Sequence, residues 1–297
     1  MEWSQEIEMT GILRLAYKVS RIRFWLYLGG TYLIGYIIGM ETAGLGLEAL
    51  IDPWFIVHLF FFMLPANIFL YGVNDISDKD TDMFNPKKDE KEYRAAEADR
   101  KKLYTLVGTS FIYGIILLLL QANIVAIVMF AAWMLLSFFY SVKPLRFKAL
   151  PVLDFASNFL YVIPALLAFY QLTSVVPGFL PVFAAFMWTS AMQLFSAIPD
   201  IDADTKANIK TTAVVIGERA SLALCLVFWS IFALILIVIV PWNYPWNLLM
   251  LVYPGIPLYL LLRPQTSVER AYWYFPYYTG VFGMVLFFSI GLPLVLP

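Results

Sequence analysis

Two short runs of carboxylates interrupt a chain that is otherwise strongly apolar. The first contains Asn74, Asp75, Asp78, Asp80, Asp82 and Asn85; the second contains Asp200, Asp202 and Asp204, followed by Lys206, Asn208 and Lys210. Asn74, Asp78 and Asp82 are spaced i, i+4, i+8, and Asp200 and Asp204 are spaced i, i+4, so each set shares one face if the backbone is helical. Each run lies where an apolar stretch gives out, which predicts the C-terminal end of a helix. Like charges one turn apart destabilise a helix by about 0.2–0.5 kcal/mol per pair, and carboxylates at a C-terminal end oppose the macrodipole. A bound cation reverses both penalties. Two such runs in one chain favour that reading over solvated helix ends.

The donor types select the cation. Sites built from oxygen alone, with one or two carboxylates per metal and the rest supplied by water and phosphate, suit Mg²⁺. The candidate ligands are therefore Asn74, Asp78, Asp82, Asp200 and Asp204. Phosphate partners lie close in sequence: Tyr140, Lys143, Arg146 and Lys148 form one basic loop, and Lys206 and Lys210 follow the second acidic run. Arg can grip a diphosphate in bidentate fashion and Lys as a point charge. No Gly-rich nucleotide-binding loop is present, so an NTPase is not indicated. His58 is the only histidine, which excludes a His-based metal site and predicts a core or pore-lining position. Cys225 is alone in an apolar stretch and offers neither a disulfide nor a thiolate site.

The elements that must position these residues are membrane helices. Hydrophobic residues make up 61% of the chain and charged ones 14%, far from the balance of a soluble domain. Apolar stretches near the spanning length of about 20 residues fall at 24–40, 53–73, 103–120, 122–140, 153–172, 177–197, 221–241, 245–262 and 273–295, nine in all. The 20 Lys and Arg residues occupy five segments only: before the first span, and after spans two, four, six and eight. That alternation predicts a cytoplasmic N-terminus, an outside C-terminus and both acidic runs on the cytoplasmic side. Trp54 and Trp246 border the opposite loops, as interfacial aromatics do. Residues 1–20 carry Ile7, Ile12, Leu15 and Val19 among basic residues and read as an amphipathic helix on the inner leaflet. The first span lacks a small-residue cleavage site and is preceded by a charged segment, so a removable signal peptide is not expected.

At these residues the chain resembles the UbiA superfamily of intramembrane prenyltransferases. The first motif of that superfamily is met by Asn74, Asp75, Asp78, Asp82 and Asn85, and the second by Asp200, Asp204, Thr211, Thr212 and Gly217. The tyrosine-and-base motif between them is met by Tyr140, Lys143, Arg146 and Lys148. Finer features are similar to its carotenoid-modifying branch, the lycopene elongases: Ser20, Arg21, Phe24 and Trp25 at the entry to the first span, Leu64-Pro65-Ala66-Asn67, Asn85-Pro86-Lys87, and Asp154 with Asn158. Ile22 stands where that branch has Pro, and Asn208 where a Gly is usual; Asn tolerates left-handed backbone, so the turn survives.

The resemblance implies an all-α, nine-transmembrane-helix bundle, a single domain over residues 1–297, with its active-site mouth facing the cytoplasm. It implies Mg²⁺-dependent transfer of an allylic group, dimethylallyl from its diphosphate, to the terminal alkene of lycopene or a related carotenoid. Asp78, Asp82, Asp200 and Asp204 would act through the metal, with Asn74 beside them. Arg21, Tyr140, Lys143, Arg146, Lys148, Lys206 and Lys210 would hold the diphosphate, and Asp154 would assist the step that ends the reaction. Expected partners are a prenyl diphosphate, a lipophilic acceptor and the lipid bilayer, with no nucleic acid. Rival readings are a quinone precursor, a tetrapyrrole or an archaeal lipid as acceptor. More remote is a transporter, whose ionisable residues would gather nearer the midplane.

Overall fold

The computed structural model describes residues 2–78, 97–240 and 245–291. Asp82 and Asn85 of the first motif, and the loop cations around them, lie outside the described residues. Among the described residues every regular element is helical. The α-helices are α1 Glu2–Ser20, α2 Thr31–Ala43, α3 Pro53–Met63, α4 Pro65–Ser77, α5 Arg100–Leu119, α6 Ile124–Phe139 and α7 Leu153–Ala156. They continue as α8 Ile163–Thr173, α9 Phe179–Ala197, α10 Ile201–Lys206, α11 Thr212–Ile239, α12 Val252–Leu262 and α13 Val268–Gly291.

Among the described residues, six helical segments are long and apolar enough to cross a membrane: Pro53–Ser77, Arg100–Leu119, Leu153–Thr173, Phe179–Lys206, Thr212–Ile239 and Val268–Gly291. Three expected spans fall short for visible reasons. The segment predicted at 24–40 is interrupted: Arg21 is left-handed (φ 49°), Ile22–Phe24 is a 3₁₀ turn, and Leu26–Gly30 is a π-helix before α2 begins. α6, with 16 residues, rises about 24 Å at 1.5 Å per residue, below a hydrocarbon core of about 30 Å. The segment at 245–262 opens as a 3₁₀ turn, Trp246–Leu251, and carries Pro257 inside α12.

Prolines account for two of the breaks. A proline lacks the N–H and crowds the preceding turn, so α3 stops at Met63 ahead of Pro65. The carbonyls freed there are taken by Asn67, whose Nδ2 donates to Phe62 (2.9 Å) and Met63 (2.8 Å). Pro199 likewise ends α9, and Ile198–Asp200 is a 3₁₀ turn before α10. Asp200 is thus the N-cap of a new short helix with Asp202 and Asp204 in its first turn. The sequence placed this run at the end of an unbroken helix, against the dipole; the proline reverses that electrostatic setting.

α9 packs against α11, α11 against α12, α2 against α8 and α13, and α4 against α5. The α2–α8 contact depends on Gly35, because a Cβ there would sit on the Ala165 carbonyl. Small residues permit such backbone approach between membrane helices. Trp133, Trp229, Tyr32, Phe61, Phe62, Phe130 and Phe195 are fully buried between the helices. α1 uses its apolar face differently from the sequence expectation. Leu15 and Val19 bury against Ile68 of α4 and Leu103 of α5, while Leu13 and Tyr17 remain exposed.

Candidate active site

One cavity of about 220 Å³ gathers residues from the breaks just described. α4 supplies Tyr71 and Asn74, and Asp78 stands at its C-terminal boundary. The opposite wall comes from the α9–α10 junction, with Gln193, Ser196, Asp200 and Asp204. The loop after α6 contributes Tyr140 and Lys148, and the irregular segment before α2 contributes Arg21, Phe24 and Tyr27. The described members Asn74 and Asp78 of the first run and Asp200 and Asp204 of the second therefore line a single space.

The loop is folded to deliver charge. The Lys148 amide donates to the Tyr140 carbonyl (3.1 Å), and Arg146 adopts left-handed backbone (φ 37°). This turns Arg146 and Lys148 onto Asp78: Arg146 Nη2 donates to Oδ1 at 3.1 Å, and Lys148 Nζ pairs with Oδ2. Arg21 Nη2 lies 2.8 Å from Asp75 Oδ1, with its guanidinium 4.7 Å above the Tyr71 ring. Asn74 Nδ2 donates to Ser141 Oγ (2.9 Å), and Gln193 Nε2 donates to the Tyr140 hydroxyl (2.8 Å). Burial pulls the Lys148 ammonium down to about 7, while Asp204 and Asp75 draw it back up.

The remaining expected residues divide. Lys143, Lys206 and Lys210 are exposed and none lines the cavity, so the geometry does not bring them to the site. Arg146 reaches the site through Asp78. Asp154 is buried and does not line the cavity; its carboxylate accepts from the Thr212 amide (2.6 Å), the Thr212 hydroxyl (2.6 Å) and the Phe155 amide (3.0 Å). Asn158 Nδ2 donates to the Asp154 carbonyl (2.7 Å) and itself lines the cavity. The Asp154 arrangement ties the start of α11 to α7. Next to it, Thr211 caps α11 and faces the cavity. Asn208 is left-handed (φ 54°), as its tolerance for that backbone allowed.

Gln193, Tyr27, Tyr71 and Tyr161 line the cavity and were not among the sequence candidates. A signal existed for two of them. Gln193, Ser196, Asp200 and Asp204 recur at helical spacing, as do Asn67, Tyr71, Asn74 and Asp78, giving polar stripes inside apolar spans.

Among the described residues no group of three or more His, Cys, Asp or Glu side chains closes around one point. Oxygen donors instead face one another across the cavity, Asn74 and Asp78 from one wall and Asp200 and Asp204 from the other. Mg²⁺ is commonly held by one or two carboxylates with substrate phosphates completing the shell, so these residues fit an ion that arrives with its diphosphate.

A family profile described as the UbiA prenyltransferase family matches residues 32–280. The chain belongs to that family. It is 39% identical over 280 residues to a lycopene elongase/hydratase of Halobacterium salinarum, covering 94% of this chain and 97% of the relative. It is 38% identical to a protein of the same description from Haloarcula japonica, covering 90% and 88%. In fold it matches a UbiA homologue of Archaeoglobus fulgidus bound to DMAPP and Mg²⁺, with TM-score 0.65, 18% identity and coverage of 93% and 99%. It also matches a digeranylgeranylglyceryl phosphate synthase, with TM-score 0.65, 15% identity and coverage of 95% and 99%. The chain is a prenyltransferase built of apolar membrane helices.

Proposed function

We propose that this UbiA prenyltransferase moves a dimethylallyl group from its diphosphate to lycopene or a related carotenoid, at the cytoplasmic mouth of a nine-span bundle. The observation that carries this reading is the convergence of Asn74, Asp78, Asp200 and Asp204 with Arg21 and Lys148 on one cavity whose inner wall is aromatic. The N-terminus lies in the cytoplasm and the C-terminus outside, which the strict alternation of Lys and Arg between loops supports. Lycopene as acceptor is supported by a relative at 39% identity described as lycopene elongase/hydratase.

Asp78, Asp200 and Asp204, joined by Asp82 beyond the described residues, would hold Mg²⁺, which would supply Lewis-acid stabilisation of the leaving diphosphate. Arg21 and Lys148 add positive charge where the leaving group develops negative charge, a stabilisation that strengthens in a water-poor site. The diphosphate in turn favours the charged form of Lys148 against its burial. Phe24, Tyr27, Tyr71 and Tyr161 present ring surfaces to the allylic cation and keep bulk water away. The acceptor alkene attacks that cation, leaving a tertiary cation that ends by proton loss or by adding water.

The test is expression in a lycopene-producing host followed by pigment analysis. Carotenoids longer by one and two five-carbon units support the assignment, and unchanged lycopene refutes it.

A further inference from the structure

Five tyrosines line the cavity: Tyr27, Tyr71, Tyr140, Tyr161 and Tyr272. Tyr71 and Tyr161 share a hydrogen bond at 3.2 Å, and Tyr140 receives one from Gln193. Among the described residues the Tyr27 hydroxyl has no hydrogen-bond partner, although the residue is only 4% exposed. A buried polar group left unpaired costs about 1–3 kcal/mol. Phenylalanine would fill the same volume without that cost, so packing does not explain a phenol here.

The backbone is arranged to hold this ring. Tyr27 lies in the π-helical turn Leu26–Gly30, a rare conformation that concentrates at functional sites. Gly29 in that turn packs so closely on α3 that a Cβ would lie 2.4 Å from Met63 Sδ. The ring stands edge-on to Tyr161 (centroids 5.9 Å) and to Trp188 (6.2 Å) and tilts against Phe24 (5.4 Å). The phenol is thus fixed in the aromatic part of the wall of the same cavity that Asp78, Asp200 and Asp204 line. Its hydroxyl is the one polar side-chain atom of this wall residue.

We infer that the Tyr27 hydroxyl is a catalytic residue for hydration: it holds the water that quenches the tertiary cation after prenyl transfer. This rests on the transferase reading above. The balance closes within the cavity. The allylic C–O bond breaks and its electron pair leaves with the diphosphate. The acceptor π pair then forms the new C–C bond and leaves a tertiary cation. Tyr27 Oη accepts a hydrogen bond from water and turns the water's lone pair toward that cation, so a C–O bond forms. The displaced proton goes to the released diphosphate, the strongest base present, and the product is a tertiary alcohol.

The experiment uses full-length protein in lipid nanodiscs with Mg²⁺, dimethylallyl diphosphate, lycopene and ¹⁸O-water, with products resolved by mass spectrometry. The readout is the ratio of ¹⁸O-labelled alcohol to alkene among prenylated products. Tyr27→Phe is expected to lower this ratio by about fivefold or more, the effect of losing one net hydrogen bond. Replacing Tyr27 with 3,5-difluorotyrosine keeps the shape, weakens the oxygen as an acceptor, and should shift the ratio the same way even if the Phe variant folds poorly. An unchanged ratio in both variants overturns the inference, as does a wild-type product that carries no ¹⁸O. A folded Tyr27→Phe protein that makes no product at all also overturns it, by placing the hydroxyl in ionisation. Wild-type protein that leaves lycopene unprenylated refutes the transferase reading, and the inference with it.

Discussion

Replacing Asp154 by Asn separates two roles that the sequence left open, chemistry at the end of the reaction and support of the fold. In the structure one carboxylate oxygen accepts from the Thr212 amide at 2.6 Å, and the other accepts from the Thr212 hydroxyl at 2.6 Å and the Phe155 amide at 3.0 Å. An Asn has one acceptor oxygen. Turned toward Thr212 N–H, it leaves the Phe155 amide facing an NH₂; turned the other way, it leaves the Thr212 amide so. The Thr212 hydroxyl cannot relieve this freely, because it already accepts from the Val152 amide at 2.7 Å. One buried backbone N–H therefore loses its partner in either orientation, at about 1–3 kcal/mol, or roughly 5- to 160-fold in the unfolding equilibrium. Thermal unfolding of the detergent-solubilised protein, followed by tryptophan fluorescence, should show a clear loss of stability. Product ratios at a temperature where both proteins are folded should stay the same. A variant of unchanged stability that alters those ratios would refute the supporting role and restore Asp154 to the chemistry.

Asp78→Asn and Asp204→Asn should each lower the rate of diphosphate release by about 100-fold or more, a scale typical of removing one electrostatic stabiliser from an active site; rates within threefold of wild type would remove these carboxylates from the metal site. Gln193→Leu removes the hydrogen bond to Tyr140 and should slow turnover by about 2- to 12-fold, measured as product per unit of folded protein; no change would mean Tyr140 needs no such support. Gly35→Leu should drive α2 off Ala165 of α8, overpacking that costs about 1–3 kcal/mol or more; normal yield and melting temperature would show that the contact can relax.

Much of this protein was legible in its residues. Composition and the placement of Lys and Arg define a membrane protein with alternating basic loops, because the cost of burying charge in lipid is paid locally and leaves its mark on every span. The i, i+4 spacing of Asn74 with Asp78 and of Asp200 with Asp204 marked the two walls of the cavity, since helix geometry translates spacing into a shared face. Tertiary structure decided what depends on contacts between distant elements. Lys148 belongs to the cavity while Lys143, Lys206 and Lys210 stay outside it, because the loop after α6 folds back over Asp78. Asp154 faces Thr212, 58 residues away, and no local pattern encodes that pairing. The π turn that sets Tyr27 against the cavity arises where packing overrides regular helix, whereas the 3₁₀ break that makes Asp200 an N-cap follows from Pro199, a signal already present in the sequence. Periodicity reads only regular backbone, so the π turn became visible only once the helices were assembled.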